Sequence, residues 1–337
     1  MRIKLASISF PFHSAKRLAD YILRVEEGVW WALALGTGIG LMLIYGQVDI
    51  VGRDWRVMYR PATLADDFLV FPGVANPLYI KFLFYPLAVL PTLAGYAGIL
   101  ALNVVSYRMI AYFSGINKWL IFPSFPALWM LVYGQIDGLV ALGVALGAWA
   151  LREKKPYIQG IAILLLMLKP HVGGVLALVF FVWQKDWRAL VISGMVIGLS
   201  LWVGGPNWPI AWVRRLLAEA AQASRHEGFA GVENSFNNIG LFPYGLLFWI
   251  FVLWRYPYEE KIAPIVASSI LSMPYAGNYS LLSVMAGALP GWVYPLFSMP
   301  FLGWIGYKLV VLAPIIVVLR PVVKYHWGSM RRQNTLA

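Results

Sequence analysis

Few residues in this sequence can do chemistry, and most of them stand at the ends of apolar runs. Asp54 lies in Gly52-Arg53-Asp54-Trp55, with Arg56, Tyr59 and Arg60 just after it. Gln135 and Asp137 follow Tyr133-Gly134, and Lys169-Pro170-His171 closes another apolar stretch. Further on come Glu233-Asn234-Ser235 and Asn278-Tyr279. A carboxylate of this kind can take a proton from a hydroxyl. A lysine or arginine can meet a phosphate.

Each residue also has a plainer reading. Asp54 can be a solvated loop carboxylate. Lys169 can snorkel to lipid headgroups, although an ionisable group between two short apolar runs is a functional candidate by default. Gln135 and Asp137 can cap or bridge neighbouring helices, His171 can be structural, and Asn278 and Tyr279 can simply form a turn. For Asp54 the arginines at 53 and 56 would lower the pKa and burial beside Trp55 would raise it; the sequence leaves that sign open.

The elements that must position these residues are apolar helices. The chain has 337 residues, 60% hydrophobic and only 12% charged, with a mean hydropathy of +0.69. A soluble chain of this length could not hide so much apolar surface in one core. The expectation is an all-α, polytopic membrane helix bundle with about 10–12 transmembrane helices, several of them short or broken by Gly or Pro. The 16 Trp, 18 Tyr and 18 Phe suit aromatic belts at the two interfaces. With no cysteine there is no disulfide, thiolate metal site or Cys nucleophile. Scattered histidines give no metal motif; Asp66-Asp67 reads as exposed acids on a short helix over 62–70.

Charge sets an expected orientation. With residues 1–27 inside, the inner segments hold 14 Lys or Arg against 7 acids, and the outer ones 8 against 8. The basic excess therefore marks loops at a membrane and not a nucleic-acid partner. Residues 1–27 read as a cytoplasmic amphipathic segment whose helix Ser14 could N-cap. Residues 28–319 read as one transmembrane domain with long outer loops at 49–81 and 205–238, and 320–337 as a basic tail. Eleven spans would leave that tail outside, against the charge rule, so a run within 280–319 is expected to be split or re-entrant. Residues 212–225 read as an amphipathic helix on the outer interface. On this topology Asp54, Gln135, Asp137, Lys169, His171, Glu233, Asn234 and Asn278 all reach the outer face of a multi-pass cell-membrane protein.

The order of these motifs resembles the GT-C class of integral-membrane glycosyltransferases, and within it glycosyltransferase family 87, of the polyprenol-phosphate-mannose-dependent type. The resemblance rests on Asp54 and Tyr59 in the first outer loop, Tyr79 to Tyr85-Pro86, Gly134-Gln135 with Asp137, Lys169-Pro170, Asn234-Ser235, and Met273-Pro274 with Asn278-Tyr279. Asn278 stands where family members often carry a His.

The resemblance implies a metal-independent, cofactor-free, inverting transfer of a mannose-like hexose. The donor would be a polyprenyl-phosphate sugar and the acceptor a glycan or glycolipid. It gives Asp54 the role of base, and gives Lys169, His171, Arg53 and Arg56 the donor phosphate. It leaves Tyr59, Tyr79, Gln135, Asp137, Glu233, Asn234, Asn278 and Tyr279 for sugar and acceptor. Two other classes stay open: a transporter or flippase of a lipid-linked sugar, and a non-catalytic subunit among membrane-protein partners.

Overall fold

The computed structural model describes residues 12–68, 76–224, 246–256, 260–273 and 277–320. The chain is an all-α polytopic bundle, and no strand occurs among the described residues. Glu233, Asn234, Pro274 and the tail beyond residue 320 lie outside them.

α1 (Phe12–Leu43) is one continuous 32-residue helix. It joins the expected amphipathic segment to the first apolar run, and Ser14 lies inside it and is not its cap. Nothing between 12 and 43 is a proline, so the backbone ladder is unbroken. The helix stops before Val48 because the turn that follows uses Gly46 at φ +79. Glu26 and Glu27, just before the apolar stretch of α1, bind the end of α4 (Thr92–Ser114) and α5 (Lys118–Ile121). Glu27 accepts from Arg108 Nε at 2.7 Å and Lys118 Nζ at 2.6 Å, and Glu26 accepts from Trp119 Nε1 at 2.7 Å. These two cations hold the Glu27 carboxyl down at about 2, Arg108 most strongly.

After α1 the expected outer loop is largely helical. A π-helical turn, Trp55–Tyr59, runs into α2 (Arg60–Leu64), so the short helix sits before Asp66 and Asp67, which are exposed beyond its end. α3 (Ile80–Ala88) ends just before α4, with Val89–Pro91 between them. Pro91 lacks an N–H and stands at the start of α4, which is why the break falls there.

α6 (Phe125–Tyr133), α7 (Asp137–Arg152), α8 (Pro156–Met167) and α9 (Pro170–Gln184) follow one another, α8 packing on both α7 and α9. α7 is buried over almost its whole length. Small residues let its neighbours close on it: a Cβ on Gly147 would lie 2.2 Å from the Phe180 ring, and one on Gly173 of α9 only 2.6 Å from the Leu166 carbonyl.

α10 (Ala189–Gly204) and α11 (Trp208–Ser224) meet at a 93° bend, so the amphipathic stretch expected at 212–225 is a helix turned across its predecessor. α12 (Leu246–Arg255) and α13 (Ile262–Ser272) follow. Within 280–319, where a split or re-entrant run is expected, the stretch over 278–302 is no single helix. It is a 3₁₀ turn (Asn278–Ser280), a five-residue α14 (Leu281–Met285) and a 3₁₀ stretch (Gly291–Leu302). Gly287, Pro290 and Pro295 interrupt it. The next run is split into α15 (Trp304–Leu309) and a helix over 312–320.

The bundle is thus all-α and polytopic with several short or broken helices, as expected. Among the described helices, Thr92–Ser114 alone is long and apolar enough by itself to cross a membrane, and the bent pair α10–α11 passes the same test together. α8, α9 and α13 are apolar but shorter. Short helices that end inside a bundle leave polar ends to satisfy, and the functional residues are found at those ends.

Candidate active site

The junction of α6 and α7 is the centre of the site. Gly134, at φ +72, caps α6 in the left-handed region. Its N–H reaches the carbonyls of Met130 and Leu131, and the Gln135 N–H returns to Met130. A side chain at 134 would also press within 3.2 Å of Trp55 and Tyr96, so glycine is required on both counts. The Gln135 carbonyl accepts from Asn103 Nδ2 at 2.8 Å. Two residues later α7 begins with Asp137, which is fully buried and sits where a helix N-terminus favours a carboxylate.

Lys169 precedes Pro170, the first residue of α9. Its Nζ donates to Asp137 Oδ2 at 2.7 Å and to Gln135 Oε1 at 3.0 Å. It also lies 4.7 Å from the centre of the Tyr279 ring. On the far side of Asp137, Ser280 Oγ donates to Oδ1 at 2.8 Å. The plain reading of Lys169 as a snorkelling cation is thus excluded: it is an ion-paired, buried lysine.

Asp54 closes the cluster from the segment after α1. It is 8% exposed, and the Gln135 side-chain amide donates to its Oδ2. It is not a solvated loop carboxylate. Burial raises its pKa above the ordinary 3.8, against the pull of the Gln135 hydrogen bond and of Lys169. Tyr59 donates to Gln135 Oε1 at 2.8 Å. Asp54 and Tyr59 are five residues apart and reach the same amide because the backbone between them is π-helical, with the Arg60 N–H on the Trp55 carbonyl. In an α-helix five residues would point the two side chains well apart.

Some expected residues lie elsewhere. Arg56 turns to Asp49, 3.1 Å from its carbonyl and 3.7 Å from its carboxylate. Arg53 is exposed. The Tyr79 hydroxyl donates to the Leu164 carbonyl at 2.8 Å, and Asn76 Nδ2 to Leu168 at 2.7 Å, so this stretch braces the end of α8 just before Lys169. His171 is half-buried and is the second residue of α9. Asn278 is buried beside Tyr279 and Ser280, and its Nδ2 has no hydrogen-bond partner. Among the described residues no group of three His, Asp or Glu converges as metal ligands would.

Sequence reasoning did not place Asn103 or Ser280 in the site. Asn103 left a signal, a lone amide inside a long apolar run. Ser280 left none beyond its neighbours. Asn103 is the twelfth of 23 residues in α4, so the Gln135 main chain meets the middle of that helix, while Trp55 beside Asp54 bonds Thr92 at its start.

A buried carboxylate linked through Gln135 to a lysine, near the broken ends of short apolar helices, is an arrangement suited to an enzyme embedded in a membrane. The chain belongs to glycosyltransferase family 87, whose model matches residues 75–289, and it is accordingly a membrane glycosyltransferase. The match takes in Gln135, Asp137, Lys169, Asn278 and Ser280, while Asp54 and Tyr59 precede it. Comparison with curated proteins and with solved structures gives no match.

Proposed function

We propose that the chain moves a mannose-like hexose from a polyprenyl-phosphate donor to a glycan or glycolipid acceptor at the outer face of the cell membrane, with inversion and with Asp54 as the general base. The observation that carries this reading is the Asp54–Gln135–Lys169 arrangement. It puts a carboxylate of raised pKa and a lysine on the two ends of one buried amide.

Asp54 Oδ1 accepts no hydrogen bond from another described residue and is the atom that takes the acceptor's hydroxyl proton. The acceptor oxygen attacks the anomeric carbon opposite the phosphate. The sugar–phosphate C–O bond breaks and the polyprenyl phosphate leaves with the electron pair. Two of the three Lys169 N–H groups are engaged by Gln135 and Asp137; the third serves the leaving phosphate. Such a contact is worth about 100–1000-fold in rate. Asn278, whose buried side-chain N–H groups have no partner among the described residues and whose chain neighbours Tyr279 and Ser280 meet Lys169 and Asp137, is the best placed of the sugar contacts. Arg53 is the second candidate for the phosphate. On this reading the N-terminal end of α1 is cytoplasmic, residues 28–319 form one membrane domain, and partner subunits are not needed for the chemistry.

The meeting of Gln135 with the middle of α4 favours one other reading, a carrier of lipid-linked sugars. Against it, α7 and α9 start at the cluster and do not pass it. The deciding experiment is transfer of labelled sugar from a polyprenyl-phosphate pool in membranes carrying wild type or Asp54→Asn. The expected result is transfer by wild type and a loss of at least about 100-fold in the variant. Equal transfer by both removes Asp54 from its role. Movement of labelled lipid across the bilayer without transfer selects the carrier.

A further inference from the structure

We infer that Gln135 is a positioning residue for the base: its side-chain amide, oriented by Tyr59 and Lys169, holds Asp54 so that the other carboxylate oxygen faces the acceptor. This deepens the reading in which Asp54 takes the acceptor proton, and it moves Gln135 out of the sugar-binding set.

The argument begins with which way the amide faces. A lysine ammonium only donates, so the Gln135 atom 3.0 Å from Lys169 Nζ must be the carbonyl oxygen. Tyr59 then donates to the same oxygen, which fills both of its lone pairs. The NH₂ end is thereby forced toward Asp54 Oδ2. An amide that could flip would offer Asp54 either a donor or a repelling oxygen; this one cannot flip without breaking two hydrogen bonds.

The main chain of Gln135 is equally fixed, its N–H on Met130 and its carbonyl on Asn103. The residue is 3% exposed, and at most one side-chain N–H remains for any ligand. Little is left with which to recognise a sugar. The π-helical turn completes the device, because it lets Asp54 and Tyr59 grip opposite ends of the same amide.

The effect on the base has a definite sign. A hydrogen bond donated to a carboxylate favours its ionised form, so Gln135 keeps Asp54 able to accept a proton despite its burial. The other groups around Asp54 are Lys169 from α9, Asp137 from α7, Tyr133 from the end of α6, and Arg53 and Tyr59 from its own segment. Lys169 and Arg53 act in the same direction as Gln135, and Asp137 opposes them.

The test is the pH dependence of sugar transfer by the purified full-length protein in lipid nanodiscs, for wild type, Gln135→Leu, Gln135→Glu and Asp54→Asn. Gln135→Leu is expected to lower kcat about 10- to 100-fold, the worth of a hydrogen bond to a charged group. The donor and acceptor KM should stay within about twofold, and the acid limb of kcat/KM should move to higher pH. Gln135→Glu is nearly isosteric, and only its protonated form can donate to Asp54, so its rate should fall again as pH rises. A Leu variant with lowered rate but an unshifted pH profile would overturn the inference. So would a raised acceptor KM at unchanged kcat, which would return Gln135 to sugar binding. If Gln135→Leu does not fold, the profile of Gln135→Glu decides alone, and a wild-type-shaped profile overturns the inference. Full activity in Asp54→Asn is a separate outcome, because it removes the base itself.

Discussion

At the scale of single residues, the cluster holds its charges by mutual dependence. Lys169 and Asp137 are both buried and 2.7 Å apart. Removing one member of such a pair leaves the other uncompensated, which costs about 3–5 kcal/mol. Lys169→Met should therefore lower the thermal unfolding temperature in detergent, and the double variant Lys169→Met with Asp137→Asn should recover much of the loss. A double variant no more stable than the single one would show that the pair is not what holds these helix ends. This pairing could not be read from the sequence. Lys169 was legible as unusual because it interrupts an apolar stretch, and Asp137 as a polar residue at a helix start. That they bind one another depends on α7 and α9 starting at one level, a tertiary fact. Asp54 shows the same limit: its neighbours in sequence are arginines, but its neighbour in space is Gln135.

At the scale of elements, one inserted residue matters most. The π-helical turn Trp55–Tyr59 contains a residue more than an α-helical path would need, and Val57 in its middle is exposed. An alanine inserted after Val57 should put Asp54 and Tyr59 six residues apart and turn them away from one another, breaking the grip on Gln135. The expected outcome is loss of sugar transfer by at least about 100-fold with normal membrane insertion, measured by transfer assay and by membrane fractionation. Retained transfer would show that the turn is not needed for alignment. Periodicity could not reveal this turn, since its residues satisfy an α-helical pattern equally well. Apolar runs did locate α8, α9 and α13 closely, because Pro156, Pro170 and the charged Lys261 mark their starts. Over 280–319 the charge of the tail called for a split, but apolar composition did not say where Gly, Pro and a long 3₁₀ stretch place it. Composition reports burial, and hydrogen bonding decides whether a buried segment is one helix or three pieces.

At the scale of the whole molecule, the charge pattern makes a statement about sides. The chain has no cysteine, so single cysteines can be introduced at will. Val57→Cys and Lys154→Cys should react with a membrane-impermeant maleimide from opposite faces of intact cells and inverted vesicles, position 57 from outside. Labelling of both from the same face would overturn the proposed topology. The buried cluster also has a consequence for turnover as a whole. Its formal charges, two carboxylates against one lysine, leave one negative charge in excess. On the proposed reaction that excess moves but does not change: Asp54 becomes neutral as it takes the acceptor's proton, and the departing phosphate gains the charge the carboxylate gave up. Electroneutrality therefore sets no barrier to the transfer itself. It sets one to the next cycle, because the proton must leave a buried carboxylate before a second acceptor can react. Each glycosidic bond is matched by one proton released, and the path that carries products away must carry that proton too.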